Sequence, residues 1–402
     1  MRSFGLRQAG GAEPGAEPLE KRCRKVLLLV TEDWFVLSHF RPLIDVLKRV
    51  ALEVVVVTHF SGRSAEIEAL GARTIDFDYH RRSSNPLRQG ISALALARIL
   101  EAENPDVVHL VAMKPAILGS LALVLVDVPR VVVHVTGMGT LGARTRGPFS
   151  LYRAGAMRLL ASTLGDRNSF LLVENPDDLA LLRESGVDPG ARVAILGGAG
   201  VDPDVFPTMP APRNELPVAA FVGRMISAKG VDVLMEAFEQ LRKRNARLQL
   251  ELYGAGDDGR ADSIAPQTLE RWCARTGARW LGVAKDVREV WRHADIFVLP
   301  SVYREGMPRA MLEAAACGRP LIVTDVPGCR HFVRDGTEGI IVPPGDATAL
   351  TEALLRLARD PTLRVRMGEA ARLRVLQGFT EAQLKQSVHA VYVSLLGASQ
   401  VS

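Results

Sequence analysis

The chain lacks most of the features that mark disulfide-rich, secreted or membrane-spanning proteins. Its 402 residues include only four cysteines: Cys23, Cys273, Cys317 and Cys329. These lie far apart, without disulfide-framework or metal-ligand spacing, so we expect reduced thiols and no metal site. The longest apolar run, residues 115–126, stops at Asp127 and is too short to span a bilayer. A buried helix explains this run better.

No signal-peptide core is present at the beginning of the sequence. Residues 1–24 are rich in Pro, Gly, Glu and Arg, so we expect a disordered tail and a cytoplasmic protein. The net charge of +5 favours weak attraction to anionic surfaces such as the inner face of the plasma membrane. Basic clusters occur at residues 81–82, at residues 144 and 146, and in the tail. No aromatic residues interleave with them, which argues against nucleic acid and leaves solvated loops as the alternative to a membrane face.

The length and the alternation of short apolar runs with helical patterns predict a two-domain α/β protein. The expected strands of the first domain are Lys25–Thr31, Leu52–Thr58, Asp106–Val111, Arg130–Thr136, Ser169–Glu174 and Arg192–Leu196. A Gly- and Pro-rich stretch, residues 197–217, reads as a linker. The expected strands that follow it are Val218–Val222, Leu248–Leu252, Trp280–Gly282, Ile296–Leu299, Leu321–Thr324 and Gly339–Val342. Two doubly wound parallel sheets would place ligands at the carboxyl ends of their strands.

Two carboxylates bracket a turn that opens a helix directly after one of these strands. Glu305 precedes Gly306-Met307-Pro308, and Glu313 lies about two turns into the helix. Pro308 suits the first helical position, and the free N–H groups of the helix start can face an anion or a sugar hydroxyl. Carboxylates accept hydrogen bonds from vicinal hydroxyls. The alternative interpretation is a capped helix with an Arg309–Glu313 pair at i,i+4.

A pair of cations follows the strand at residues 218–222. Arg224 leaves the strand end and Lys229 opens the next helix, so together they could neutralise a diphosphate. The alternative is two solvated surface charges. Because this strand and the one ending at Pro300 run the same way in one sheet, cations and carboxylates are expected on one face.

Two loops match the dinucleotide pattern G-x-G-x-x-G, at residues 137–142 and 254–259. Neither is followed by a strand that ends in a ribose-binding acid, so we interpret both as strand-end loops and expect no cofactor. Other polar residues lie at strand ends of the first domain, and these are Glu32, Asp33, His109, Lys114 and His134. A histidine on a buried strand is usually a satisfied core residue.

Taken together, these residues resemble the retaining GT-B glycosyltransferases of family four. The resemblance rests on the spacing of Glu305 and Glu313, on Gly223-Arg224 with Lys229-Gly230, and on residues 200–206 and 325–330. Residues 31–39, 114–115, 136–139 and 175–178 look like a subgroup that builds bacterial surface polysaccharides, often adding N-acetylhexosamines to undecaprenyl-diphosphate-linked sugars. The implied fold is two Rossmann-like domains that face each other across a cleft, at residues 25–208 and 213–379. The C-terminal helix, within residues 380–402, would cross back onto the first domain.

The resemblance also implies roles for individual residues. Arg224 and Lys229 would hold the donor diphosphate, Glu305 the transferred sugar and Glu313 the ribose. Backbone contacts to the donor would come from Gly223, Gly254, Gly306, Met307 and Pro308. Acceptor-side candidates are Glu32, Asp33, His109, Lys114, His134 and Gly137, and the choice between His109 and His134 stays open.

The resemblance predicts an enzyme that moves a hexose or N-acetylhexosamine from a nucleotide diphosphate sugar, with uridine as the preferred base, to a lipid-linked or other saccharide acceptor. A nucleotide-sugar 2-epimerase uses a similar two-domain shell and is the alternative enzyme. The non-enzymatic alternatives are a degenerate sugar-nucleotide binding module and a basic membrane-associated scaffold.

Overall fold

The computed structural model describes residues 22–79, 86–142, 148–165, 168–257 and 260–397. These residues form two parallel sheets, one of seven strands and one of six. Most of the predicted N-terminal tail, the basic clusters at residues 81–82 and 144–146, and the last five residues lie outside the described part of the chain. The two parallel sheets confirm the predicted α/β architecture.

The first sheet has the strand order β3-β2-β1-β4-β5-β6-β7. Its strands are β1 (Cys23–Glu32), β2 (Ala51–His59), β3 (Arg73–Asp76), β4 (Val107–Val111), β5 (Val131–Val135), β6 (Ser169–Val173) and β7 (Val193–Ile195). Its helices are α1 (Asp33–His39), α2 (Arg41–Val50), α3 (Ser64–Ala69), α4 (Pro86–Glu103), α5 (Met113–Ala122), α6 (Pro148–Gly165) and α7 (Pro176–Glu184). Strand β3 was not predicted, because three residues of its Arg-Thr-Ile-Asp sequence are polar, as an exposed strand at the sheet edge allows.

The second sheet has the order β10-β9-β8-β11-β12-β13. Its strands are β8 (Val218–Val222), β9 (Gln249–Tyr253), β10 (Arg279–Trp280), β11 (Ile296–Leu299), β12 (Leu321–Thr324) and β13 (Gly339–Val342). The remaining helices are α8 (Val231–Lys243), α9 (Pro266–Thr276), α10 (Val287–His293), α11 (Arg309–Ala316), α12 (Pro327–Phe332), α13 (Ala347–Arg359), α14 (Pro361–Gly378) and α15 (Glu381–Gly397). Short 3-10 helices occur at Gly139–Gly142 and Ser227–Lys229.

The strand order reverses direction between β1 and β4 in the first sheet and between β8 and β11 in the second. At such switch points the flanking loops diverge and leave a crevice at the carboxyl ends of the strands. Residues after β1 and after β8 therefore lie where a ligand site is expected in each domain. The central strands β4 and β5 are buried along their whole length, as strands covered by helices on both faces must be.

Helix α15 follows the second sheet in the chain but packs on the first. Its residues Leu384, Val388 and Tyr392 share a core cluster with the apolar residues of α2. Lys385 forms an ion pair with Asp45 at 2.8 Å. The C-terminal helix thus joins the two domains on the side of the sheet opposite to helices α4, α5 and α6.

The stretch between β7 and β8 packs mainly on the second domain. Val201, Phe206 and Met209 belong to the core cluster of the second sheet, and Met209 N–H donates to the Cys317 carbonyl. The predicted limits of the two domains at residues 208 and 213 stay predictions. Among the described helices, none is long and apolar enough to cross a membrane.

Candidate functional site

A cavity of about 1200 Å³ lies between the two sheets. Its first-domain wall is formed by residues that follow β1 and β2, including Trp34, His39 and Arg63. Its second-domain wall includes Gly223 and Arg224 after β8, the residues after β9, and Arg309 and Glu313 of α11. The cavity therefore opens at both switch points of the strand order.

Glu305 pairs with Lys229 outside the lining of this cavity but near it, since the charge of Lys229 acts on His39 of the cavity wall. Lys229 Nζ lies 2.7 Å from Oε1 and 2.8 Å from Oε2 of Glu305, and Ser301 Oγ donates to the same carboxylate. Both partners of this ion pair are largely buried, with 18% and 15% of their side chains exposed. The predicted cation and the predicted carboxylate therefore lie on the same face of the second sheet.

Arg309 and Glu313 form the i,i+4 pair of the alternative interpretation, with Arg309 Nε 2.9 Å from Glu313 Oε1. Glu313 nevertheless faces the cavity. Burial raises the pKa of Glu313, and Arg309 opposes that shift. Arg309 also donates to the Ser38 carbonyl of the first domain, so it bridges the cavity.

Arg224 reaches the cavity paired with Asp257, with Arg224 Nη1 2.6 Å from Asp257 Oδ2. The Arg224 side chain is 43% exposed, so this pair is accessible to solvent and to a ligand. Beside it, Gly254 adopts φ +141° and lies against the Gly223 carbonyl, where a Cβ atom at residue 254 would clash. The backbone segments at Gly223 and Gly254 are therefore in close contact next to Arg224.

Gly306 lies close against the first domain. A methyl group at residue 306 would overlap with the Glu174 carboxylate and the Thr136 carbonyl of the first domain. Gly137, an acceptor-side candidate with φ +116°, lies against the Gly306 backbone nitrogen. Met307 and Pro308 follow, and α11 begins at Arg309, one residue later than predicted.

The other acceptor-side candidates do not line the cavity. Asp33 is fully buried and accepts hydrogen bonds from the backbone N–H groups of Trp34, Ser61 and Arg63. Burial alone would raise the pKa of Asp33, but these hydrogen bonds and that of the Ser61 hydroxyl hold it below its usual value. Asp33 therefore fixes the loop that carries Arg63. Glu32, at the end of β1, is also buried.

His109 and His134 are buried side by side, with ring centroids 5.7 Å apart. His109 Nδ1 lies 2.9 Å from the Tyr392 hydroxyl of α15, and burial lowers the pKa of both histidines, that of His134 to about 4. These side chains face the core between β4, β5 and α15, so a direct acceptor contact does not follow from this geometry. Lys114 lies half-buried in the first turn of α5.

His39 is a cavity residue to which the sequence analysis gave no role. Its Nδ1 lies 2.7 Å from Ser38 Oγ. Burial, together with the positive charges of Arg309 and Lys229, lowers the pKa of His39 to about 3, so the imidazole is neutral at physiological pH. Trp34, Arg41 and Arg63 on the same wall were also missed. Trp34 and His39 fall within residues 31–39 of the family resemblance, whereas the signal for Arg41 and Arg63 was their proximity to the end of β1 or β2.

Two family models match this chain. The model described as "Glycosyl transferases group 1" matches residues 216–360, and the model described as "Glycosyl transferase 4-like" matches residues 25–163. The chain is 30% identical to alpha-maltose-1-phosphate synthase of Mycobacterium tuberculosis over 345 residues, which is 77% of this chain and 84% of that protein. It is 26% identical over 353 residues to N,N'-diacetylbacillosaminyl-diphospho-undecaprenol alpha-1,3-N-acetylgalactosaminyltransferase of Campylobacter jejuni, covering 84% of this chain and 91% of that protein.

Among solved structures, the fold is similar to that of Anabaena HepE in complex with UDP. The TM-score is 0.74 at 16% sequence identity, over 92% of this chain and all of that one. This similarity shows the fold alone. It agrees with the predicted GT-B architecture of two Rossmann-like domains facing a cleft.

Proposed function

The chain belongs to the group 1 glycosyltransferases and has the GT-B fold, and from that premise we propose that it transfers a hexose or N-acetylhexosamine from a UDP-linked donor to a lipid-linked saccharide, with retention of anomeric configuration. The observation that carries this proposal is the wall of the cavity that Arg224 and Glu313 share, with the Lys229–Glu305 pair close to the cavity residue His39. The relative from Campylobacter jejuni, whose name specifies an undecaprenol-linked acceptor, supports the choice of acceptor.

The donor would lie along the second-domain wall. Its uracil would fit beside Tyr253 and residues 283–287, and its ribose hydroxyls would donate to Glu313. The diphosphate would reach Arg224 and Lys229, and the hexose would lie against Glu305 and the loop at Gly306. The HepE structure, which holds UDP in the same fold, supports the nucleotide assignment.

The chemistry would rest on charge and position. As the bond from the sugar C1 to the diphosphate oxygen breaks, negative charge develops on UDP, and Arg224 and Lys229 would stabilise it. The acceptor oxygen forms the new bond to C1, and its proton leaves with the UDP phosphate. Glu305 is held by Lys229 and Ser301, which suits it to orient the sugar rather than to attack it. Attack on the same face as the departing diphosphate is the assignment that family four implies.

The acceptor would bind the first-domain wall. Trp34 is 38% exposed on this wall, and an aromatic face is a good platform for a sugar ring. Arg41 and Arg63 lie on the same wall and share Glu66, whose carboxylate is 2.6 Å from Arg63 Nε and 3.8 Å from Arg41 Nη2. Two guanidinium groups and one carboxylate leave a positive charge for the acceptor diphosphate.

A membrane-facing surface would suit a lipid-linked acceptor. Leu87, Ile91 and Leu94 of α4 are 77%, 62% and 53% exposed, and Leu151 and Tyr152 of α6 are 76% and 50% exposed. Both helices begin on the side of the first sheet where the strands have their carboxyl ends, and the cavity lies on the same side. The described stretches 86–100, 112–126 and 148–165 contain Lys or Arg but no Asp or Glu. Such a surface suits an anionic bilayer.

The direct test is transfer by the purified protein from a panel of UDP-sugars to undecaprenyl-diphosphate-linked saccharides. We expect one donor to yield an elongated acceptor and free UDP, and the anomeric signal in the proton NMR spectrum to show retention. Conversion of the donor without acceptor would instead identify a 2-epimerase. Donor binding without any conversion would indicate a binding module.

Flotation with vesicles tests the membrane contact. We expect binding to vesicles that contain phosphatidylglycerol, and loss of binding when Leu87→Glu is combined with Ile91→Glu. Leu373→Glu on α14, where Leu373 is 58% exposed, is the matched control and should leave flotation unchanged. Equal flotation of all variants would refute this surface.

A further inference from the structure

The loop that carries Glu305 is held from the opposite domain. Asn175, directly after β6, donates through Nδ2 to the Gly306 carbonyl at 3.0 Å and, more weakly, to the Glu305 carbonyl at 3.4 Å. The Glu174 carboxyl accepts a hydrogen bond from Met307 N–H. These three contacts cross the cleft at the residues that follow β6.

An ion pair at the start of α7 completes this contact. Arg304 Nη2 lies 2.9 Å from Asp178 Oδ1, and the Asp178 side chain is fully buried. Asn175 also accepts a hydrogen bond from Asp178 N–H, so it caps α7 and bridges the domains with the same side chain. We call Glu174, Asn175 and Asp178 the interdomain clamp.

Glu305 has few backbone contacts within its own domain. Gly328 N–H donates to the Glu305 carbonyl at 3.2 Å, and Gly306 makes its close approach to Thr136 and Glu174 of the first domain. The Met307 N–H, two residues after Glu305, interacts with the Glu174 carboxyl of the first domain. The backbone of the loop is therefore held in part from the first domain, while the Glu305 side chain is held within its own domain by Lys229 and Ser301.

We propose that the interdomain clamp positions Glu305 for sugar transfer by holding the backbone of its loop from the first domain. The inference rests on the proposed transfer of a sugar held by Glu305, and it adds residues of the first domain that touch neither donor nor acceptor. The nucleoside half of the cavity, at Arg224 and Glu313, makes no contact with the clamp.

The charge state of Glu174 fits this role. Burial raises the pKa of Glu174 from its ordinary value of 4.5 to about 8, and the carboxylates of Asp178 and Glu305 add to the shift while the hydrogen bond from Met307 opposes it. Asp178 and Glu305 have their own cations, Arg304 and Lys229. The Glu174 carboxyl is therefore neutral at pH 7, and its ionisation above about pH 8 would add a third negative charge at the closed contact.

The sharpest variant is Asn175→Ser. Serine caps a helix about as well as asparagine, so α7 keeps its start, but the hydroxyl cannot reach Gly306. We expect kcat at saturating donor to fall by about tenfold to a hundredfold, because a misplaced catalytic group costs that much, while the UDP dissociation constant stays within about twofold. The control is Asp177→Asn, which removes the ion pair with Arg330 at the rim, where both side chains are over a third exposed. We expect the control to keep its kcat within about twofold.

Glu174→Gln tests the neutral carboxyl. Glutamine preserves the shape and the acceptor for Met307 N–H but cannot ionise. We expect wild-type kcat to fall as pH rises through about 8, and the decrease to disappear in Glu174→Gln. If kcat decreased with the same midpoint pH in both proteins, the decrease would come from another ionisable group, and the neutral-carboxyl role of Glu174 would be overturned.

Hydrogen exchange separates the failure of the clamp from the failure of the proposed function. We expect amides in a peptide covering residues 301–308 to exchange at least about tenfold faster in Asn175→Ser than in wild type, whether or not a substrate is known. Unchanged exchange, or faster exchange with unchanged kcat, would overturn the positioning role. If wild type transferred no sugar to any acceptor, the proposed function would fall, and exchange would still decide whether the clamp holds the loop.

Discussion

At the scale of single residues, both candidate diphosphate cations already hold a carboxylate. Arg224 pairs with Asp257, and Lys229 pairs with Glu305. A donor diphosphate would therefore share or replace these partners, and its binding energy would be the difference between two ion pairs. Before a ligand binds, the carboxylate partners hold the two cations in place, so that no buried charge is left unpaired.

Lys229→Ala should cripple turnover while the protein still folds. We expect kcat at saturating donor to fall by about a hundredfold or more, because a positioned charge on the leaving group is lost. Steady-state kinetics measures this, with Lys243→Ala as control, since Lys243 is 73% exposed at the far end of α8. Unchanged turnover in a folded Lys229→Ala protein would refute the phosphate role.

Asp257→Asn should tighten UDP binding. The change frees Arg224 and removes a negative charge near the diphosphate; an exposed pair of this kind is worth about 0.2–1 kcal/mol, or up to about fivefold in affinity. Calorimetric titration with UDP measures the effect. Weaker binding would mean that Asp257 is needed to hold Arg224 in place.

The sequence could predict the residue types of the donor wall, because Arg224, Lys229, Glu305 and Glu313 lie at strand ends and helix starts. It could not predict that these charges pair with one another or with Asp257, since such pairing depends on side chains distant in sequence. The histidines show the same limit. His109 within β4 and His134 near the end of β5 were candidate acceptor residues, yet their side chains face the core, whereas His39 in α1 faces the cavity.

At the scale of secondary structure, the loop from Arg304 to Pro308 is the element on which the site depends. Gly306 allows the first-domain loops after β5 and β6 to touch the start of α11. Strand and helix positions followed from apolar periodicity, which reports burial directly. The interdomain contacts after β6 did not, because they join Asn175 and Asp178 to residues that are distant in the sequence.

Gly306→Ala should separate the two domains at this point. The added methyl group would overlap with Glu174 and Thr136, so we expect kcat to fall by at least about tenfold while UDP binding by the second domain persists. The matched control is Gly155→Ala in α6, where a Cβ atom meets nothing within 4 Å and should stabilise the helix by about 0.5–1 kcal/mol. Normal kcat in Gly306→Ala would contradict the close contact.

At the scale of the whole molecule, α15 ties the chain end to the first sheet and completes its core. The hydroxyl group of Tyr392 in α15 contacts His109 of β4, and both side chains are buried between the strand and the helix. The sequence indicated a final helix without a following strand, and only the family resemblance indicated that this helix returns to the first domain.

Tyr392→Phe should therefore destabilise the protein without changing UDP affinity. Loss of the hydroxyl leaves His109 Nδ1 buried without its partner, at a cost of about 1–3 kcal/mol. Urea denaturation measures the change, and Tyr303→Phe, at a residue 55% exposed, is the control for stability. An unchanged denaturation midpoint would show that the contact contributes nothing to the docking of α15.

The central claim is that this cleft recognises a nucleoside diphosphate through two cations on the second domain. Calorimetric titration with UDP and with uridine tests it most directly, in wild type and in the double variant Arg224→Ala/Lys229→Ala. Because charge-assisted hydrogen bonds contribute about 1.5–3 kcal/mol, we predict that wild type binds UDP at least about tenfold more tightly than uridine, and that the double variant binds both equally. An undiminished preference for UDP in the double variant would contradict the account.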